Sequence, residues 1–141
     1  SPDAWSASLP AIGGIGSARA VAKFYQAAAG AIESPLSPAV RRALATARSS
    51  ADDRVLLRPT TFTCGTQLDP LDADGRKLRD INGPSTTAFG HPGAGGSHGF
   101  GDPSNGLSFA YVMNRMNLGV MPGSRCLALV RALTDGMTPA A

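Results

Sequence analysis

Residues 90–116 read GHPGAGGSHGFGDPSNGLSFAYVMNRM, and this stretch decides how the rest of the chain is interpreted. The turn signal DPSNG at residues 102–106 separates a glycine-rich segment from the β-prone LSFAYVMN that begins at residue 107. This pattern predicts an antiparallel hairpin. Five of the fifteen residues from 86 to 100 are glycine, which is unfavourable in an ordinary strand and indicates that something approaches the backbone closely there.

Two helices are predicted ahead of the hairpin. Residues 18–29 carry apolar side chains at helical spacing, with Ser17 as a favourable N-cap and Gly30 as a favourable stop. A second helix is predicted over residues 37–46, because Pro38 suits a first helical position and a serine precedes it.

The remaining segments complete a mixed architecture. Residues 54–68 are rich in Val, Thr and Phe and are predicted to form strands, whereas residues 71–85 are polar and predict a surface loop that could approach a cleft. A final helix is predicted with Ser124 as its cap. The sequence therefore predicts an α+β fold with helices packed on an antiparallel sheet, divided into a helical segment at residues 1–50 and a segment of strands and last helix at residues 51–141.

Composition narrows the function classes. The chain has 141 residues, of which 43% are hydrophobic and 16% charged, as is typical of one globular domain. Its net charge is +3, but the 13 Lys and Arg residues are scattered and aromatic residues make up only 6%, so nucleic acid is not an expected partner. The sequence lacks any apolar run of roughly 20 residues, so no membrane partner is expected.

Two alternative sites at the hairpin have weaker support. A phosphate-binding loop would lead directly into a helix or match G-x-G-x-x-G, and neither pattern is present. A metal site could use His91, His98 and Asp102, but histidines an odd number of residues apart on a strand point to opposite faces unless a bulge intervenes. Cys64 and Cys126 have no neighbours at metal-ligand spacing and are interpreted as free thiols.

The quoted stretch resembles the C-terminal motif region of class C β-lactamase-like serine hydrolases, which include carboxylesterases and relatives of penicillin-binding proteins. In that family a strand beside the active site carries Lys-Thr-Gly or a His-x-Gly variant, and here it reads His91-Pro92-Gly93. The helical stretch IGSARAVAKFYQAAAG at residues 15–30 is also similar to the family. The resemblance implies the C-terminal portion of the serine β-lactamase/DD-peptidase-like fold.

The resemblance also implies site residues. The amide of Ala94 would donate to the oxyanion of a tetrahedral intermediate, and Gly93 would keep the approach to it clear. His91 takes the place of the motif lysine, where a cation or hydrogen-bond donor would orient a substrate carboxylate or the catalytic hydroxyl. No catalytic role is expected for Asp102, which opens a turn, and no cofactor is implied.

The catalytic nucleophile of the family is missing from this chain. Catalysis in the family uses a Ser-x-x-Lys motif, whose lysine deprotonates the serine, and a Tyr-x-Asn or similar pair that relays the proton. Here no serine has a lysine three residues later, and neither Tyr25 nor Tyr111 has an Asn two residues later. We therefore expect the chain to be a fragment of an esterase or β-lactamase-like enzyme, with the N-terminal part of the same enzyme as its partner. A small ester or amide is the expected substrate, with an ester favoured because His replaces the motif lysine. The alternative is a non-catalytic binding or pseudo-enzyme module of the same fold.

Overall fold

The computed structural model describes residues 2–9 and 13–137, in which helices lie on both faces of one antiparallel sheet. The helices are α1 (Pro2–Ser6), α2 (Ala18–Ala29), α3 (Pro38–Ala45) and α4 (Ser124–Asp135). The strands are β1 (Ser49–Asp53), β2 (Arg58–Phe62), β3 (Gln67–Leu68), β4 (Phe89–Pro92), β5 (His98–Gly101) and β6 (Ser108–Tyr111). Each strand pairs antiparallel with the next along the chain, which confirms the predicted fold class.

The ends of α2 and α3 follow the predicted capping signals. The Ser17 hydroxyl accepts a hydrogen bond from the Ala20 amide at 3.2 Å, and Gly30 ends α2 in the left-handed region at φ 83°. The Ser37 hydroxyl likewise accepts from the Val40 amide at 3.3 Å at the start of α3. Both predicted helices are therefore confirmed, and their limits follow from local side-chain chemistry.

Helix α4 begins differently from the prediction. Gly123 is the N-cap, without a side-chain hydrogen bond, and Ser124 is the first helical residue instead of the cap. Cys126 and Val130 are buried on one face of the helix, whereas Leu129 is half exposed. Leu129 therefore lies outside the buried face of α4.

The first hairpin of the sheet lies earlier in the chain than predicted. Strand β1 ends at Asp53, and Val55 and Leu57 lie in the exposed turn that leads into β2. The carboxylate of Asp53 accepts hydrogen bonds from the amides of Val55 and Leu56 at 2.8 Å, and these bonds lower its pKa. This local turn overrides the β preference of the apolar side chains.

The two faces of the sheet bury separate apolar clusters. Phe89 on β4 packs with Tyr25 and Ala28 of α2 on one face. Phe100 on β5 packs with Cys126 and Val130 of α4 on the other face. The hairpin β4–β5 is therefore covered by helices on both sides, and neither Phe89 nor Phe100 has exposed surface.

Close contact with α2 explains part of the glycine content of β5. A Cβ atom placed on Gly99 would lie 2.7 Å from the ring of Tyr25 and 2.9 Å from Val21. A Cβ atom on Gly101 would lie 2.7 Å from the carbonyl oxygen of Tyr25. These glycines allow the helix to rest directly on the strand backbone. Of the helices that the structure describes, none is long and apolar enough to cross a membrane.

Candidate active site

A cavity of about 510 Å³ lies at the end of the β4–β5 hairpin. It is bordered by the motif residues of β4 and the turn that follows, by α2, and by the segment after β6. The lining includes His91, Gly93, Ala94, Gln67, Tyr25 and Met121. All three residues predicted for the site therefore reach one cavity.

The turn at residues 93–97 joins β4 to β5 and leaves one predicted donor free. The Gly93 amide donates to the Ser97 carbonyl at 2.7 Å, and the Gly96 amide donates to the Gly93 carbonyl at 3.0 Å. The Ala94 amide has no hydrogen-bond acceptor among the described residues, and Ala94 is exposed. An unpaired backbone N–H on a fixed turn can donate to an anionic oxygen that enters the cavity.

A segment that the sequence did not single out holds this turn in place. The Gly95 amide donates to the Gly119 carbonyl at 3.0 Å, and the Asn117 amide donates to the Gly95 carbonyl at 2.8 Å. Gly95 has φ 91° and Gly96 has φ 108°, which favour glycine strongly. The loop after β6 therefore fixes the conformation of the turn next to Ala94.

His91 lies on β4 with an exposed side chain whose two ring nitrogens both have neighbours. Its Nδ1 lies 2.7 Å from the Pro92 carbonyl oxygen, and its Nε2 lies 3.4 Å from the Nε2 of Gln67. Gln67 is buried on β3, directly opposite Gly90 in the register. The imidazole is thus held at the rim of the cavity by protein groups.

His98 lies on the other face of the hairpin. It pairs with Pro92 in the β4–β5 register, whereas His91 pairs with Gly99. The two imidazoles therefore point to opposite sides, as expected, but because of the hairpin register and not because of their spacing along a single strand. The Nε2 of His98 bonds to the Ile81 carbonyl at 2.9 Å. Burial lowers the pKa of His98 to about 4, so this ring is neutral at physiological pH.

Tyr25 closes the side of the cavity nearest to α2. Burial raises its pKa to about 12, and a hydrogen bond with the backbone of His91 opposes this effect in part. The phenol is therefore protonated at neutral pH and is not a general base in this environment.

Comparison with known proteins identifies the family. The model of the β-lactamase family matches residues 1–127. The chain belongs to the β-lactamase family. The resemblance found in the sequence is therefore confirmed, and the His91-Pro92-Gly93 motif lies within the matched part of this family member.

Relatives of this β-lactamase family chain include esterases. An esterase/β-lactamase named LipL from Mycobacterium tuberculosis is 36% identical over 115 residues, covering 78% of this chain and 24% of LipL. A penicillin-binding protein homologue from Caulobacter crescentus aligns with a TM-score of 0.70 at 30% identity, covering 83% of this chain and 31% of its own. A family VIII carboxylesterase aligns with a TM-score of 0.70 at 28% identity, over the same 83% and 31%. The chain thus spans about a quarter to a third of the length of these relatives.

Asp102 forms several hydrogen bonds at the β5–β6 turn. Burial alone raises its pKa, but hydrogen bonds from Ser104, Thr87 and Ser85 outweigh that effect and lower it. The Gly106 amide donates to the Asp102 carbonyl at 2.9 Å, so Asp102 opens the β5–β6 turn as predicted. Four hydrogen bonds from Ser85, Thr87 and Ser104 reach Oδ1 of its carboxylate.

A buried charged cluster supports β3 and was not predicted. The Asp69 carboxylate lies 2.7 Å from Lys77 Nζ and accepts from Arg79 Nε at 3.2 Å. Arg79 Nη2 donates to the Gln67 side-chain oxygen at 2.9 Å, and the Asn82 amide donates to Asp69 at 3.1 Å. The loop predicted at residues 71–85 supplies Lys77 and Arg79. Their separation from Asp69 and Gln67 in sequence gave no signal of this contact.

Proposed function

We propose that the chain supplies the oxyanion-binding strand of a serine hydrolase that cleaves small esters or amides through an acyl-enzyme. The observation that carries this proposal is the Ala94 amide, which is exposed beside the cavity and has no acceptor among the described residues. Membership of the β-lactamase family and similarity to carboxylesterases support it. Esters are the favoured substrates, because His91 replaces the motif lysine of the family.

In the proposed reaction, a serine outside this chain attacks the substrate carbonyl carbon, and the carbonyl oxygen becomes an oxyanion. The Ala94 amide donates to that oxygen, which lowers the energy of the tetrahedral intermediate. The intermediate collapses as the bond to the leaving alcohol or amine breaks and that group takes up a proton. Water then attacks the acyl-serine, which releases the acid and restores the hydroxyl.

The N-terminal part of the same enzyme is the proposed partner. Strand β6 is the last strand of the sheet, and its outer edge has no partner strand within residues 2–9 and 13–137. An open edge of this kind is normally covered in a stable protein. In the segment that follows β6, Met116 and Leu118 expose most of their apolar surface. A strand from elsewhere in the enzyme would pair with β6 and complete the sheet.

Replacing Ala94 with proline in the complete protein tests the proposed function, because proline has no amide hydrogen. We expect hydrolysis of a short-chain p-nitrophenyl ester to lose about 10²–10³-fold in kcat, as is usual when one oxyanion donor is removed. Ala94→Gly keeps the amide and serves as the matched control, with activity close to the unaltered protein. Full turnover by a folded Ala94→Pro protein would refute the assignment.

A further inference from the structure

The Gln67 side chain has its orientation fixed by its buried neighbours. Arg79 Nη2 lies 2.9 Å from the Gln67 side-chain oxygen, and a guanidinium group has donors but no acceptor. Rotating the amide by half a turn would place its NH2 group against the Arg79 donors. The Gln67 oxygen must therefore face Arg79, and its NH2 group must face His91.

Arg79 is itself held by a buried carboxylate. Its Nε donates to Asp69 Oδ1 at 3.2 Å, while Lys77 binds the other oxygen of Asp69 at 2.7 Å and also donates to the Gly83 carbonyl. The Asp69 side chain is 1% exposed. The orientation of Gln67 thus depends on a chain of hydrogen bonds that starts at a fully buried anion.

This orientation and the Pro92 carbonyl oxygen together set the position of the proton on His91. The NH2 group of Gln67 faces Nε2 at 3.4 Å, so Nε2 presents a lone pair, and Nδ1 carries the proton that is donated to the Pro92 carbonyl at 2.7 Å. We propose that Gln67 is a positioning residue that holds His91 as the tautomer with its proton on Nδ1 and an acceptor at Nε2.

The consequence for the site rests on the proposed function. At 3.4 Å the contact between Gln67 and His91 is weak, so an incoming hydroxyl group would displace it and donate a shorter bond to the same lone pair. His91 then accepts a hydrogen bond from the nucleophile or the substrate, in contrast to the donor or cation implied by the family resemblance. A substrate carboxylate is itself only an acceptor and cannot bond to this lone pair. An acceptor at this position therefore favours uncharged esters.

The proton position is measurable without any substrate. The complete protein, labelled with 15N-histidine, is studied by long-range 1H–15N NMR at pH 8, and His91→Gln identifies the His91 signals by their loss. We expect an unprotonated, pyridine-type Nε2 and a protonated Nδ1. A protonated Nε2 in the unaltered protein would overturn the proposal. This measurement does not depend on Ala94. If the Ala94→Pro protein were fully active, the proposed function would fail, but the proton position on His91 could still be determined.

A single substitution tests the role of Gln67. Gln67→Glu keeps the size of the side chain and an acceptor for Arg79, but it offers His91 an oxygen where the amide offered a donor. We expect Nε2 to become protonated in this variant. Gln26→Glu, the same change at a residue that is not a hydrogen-bond partner of His91, leaves the His91 signals unchanged. An unprotonated Nε2 in folded Gln67→Glu would show that Gln67 does not position the ring.

Discussion

The amide of Gly95 donates to the carbonyl of Gly119 at 3.0 Å, so the turn that carries the candidate oxyanion donor is bonded to the loop after β6. The Asn117 amide returns a second bond to the Gly95 carbonyl. Two bonds in opposite directions limit both sliding and rotation of the turn. The position of Ala94 in the cavity therefore depends on residues more than twenty positions later in the chain.

Gly95→Ala should disturb the candidate site strongly. Gly95 has φ 91°, and an added Cβ would collide with the side chain of Met116. We expect a loss of about 1–2 kcal/mol in the free energy of unfolding from backbone strain, and a loss of about 10-fold or more in ester hydrolysis by the complete protein as the turn shifts. Urea denaturation and kinetics at saturating substrate measure the two effects.

Gly75→Ala is the matched control for that change. Gly75 has φ 78°, but no atom lies within 4 Å of an added Cβ. We expect a similar strain cost with unchanged ester hydrolysis. Equal losses of activity in the two variants would contradict the proposed bracing of the turn.

Lys77→Met should destabilise the protein. The Lys77 and Asp69 side chains are 6% and 1% exposed, and the substitution leaves a buried carboxylate with fewer partners. We expect the free energy of unfolding to fall by about 3 kcal/mol, near the lower end for broken buried pairs because Arg79 still binds Asp69. Urea denaturation at pH 7 measures this loss.

The neighbouring exposed pair provides the comparison. Arg76 and Asp74 form an ion pair at 3.3 Å with side chains 77% and 69% exposed. Arg76→Met should cost less than about 1 kcal/mol. If both methionine variants lose the same stability, the Lys77–Asp69 pair does not stabilise the loop in the way described.

Stability should decrease in mild acid because of His98. Burial lowers the pKa of its imidazole from 6.5 to about 4, and the hydrogen bond with the Ile81 carbonyl and the charge of Asp69 offset this effect only in part. Between these values the unfolded chain binds the proton and the folded protein does not, so stability is lost as the pH falls. The loss from this residue reaches at most about 3 kcal/mol near pH 4. Urea denaturation from pH 7 to 4 should show a shallower dependence for His98→Gln, and an unchanged slope would contradict the assignment.

The two thiols should differ sharply in reactivity. Cys64 is exposed, whereas Cys126 has no exposed surface and burial raises its pKa to about 11. At pH 8 an alkylating reagent should modify Cys64 within minutes and leave Cys126 unmodified until the protein is unfolded. Peptide mass spectrometry locates the modified residue. Rapid modification of Cys126 in the folded protein would show that α4 opens readily.

Much of the fold followed from local signals in the sequence. The caps of α2 and α3 and the turn at residues 102–106 each depend on a few adjacent residues, and these were predicted correctly. The strand limits were less accurate, because the Asp53 side chain forms a turn where Val55 suggested a strand. The division of the chain at residue 50 stays a prediction, although β1 begins at Ser49.

The candidate site was only partly predictable. The family motif placed His91, Gly93 and Ala94 together, because they are adjacent in sequence. The contact between Gln67 and His91 and the bond between Gly95 and Gly119 form only when distant segments pack together. No spacing rule or residue preference marks such pairs in one sequence.

The glycines of β5 determine how closely α2, which forms one wall of the cavity, packs on the sheet. Val21 and Tyr25 of α2 and Gly99 itself line the cavity, and the helix rests on the strand where Gly99 and Gly101 have no side chains. A methyl group at either glycine would clash with α2, so the helix could not keep its present position on the strand. The shape of the cavity therefore depends on the absence of side chains at residues 99 and 101.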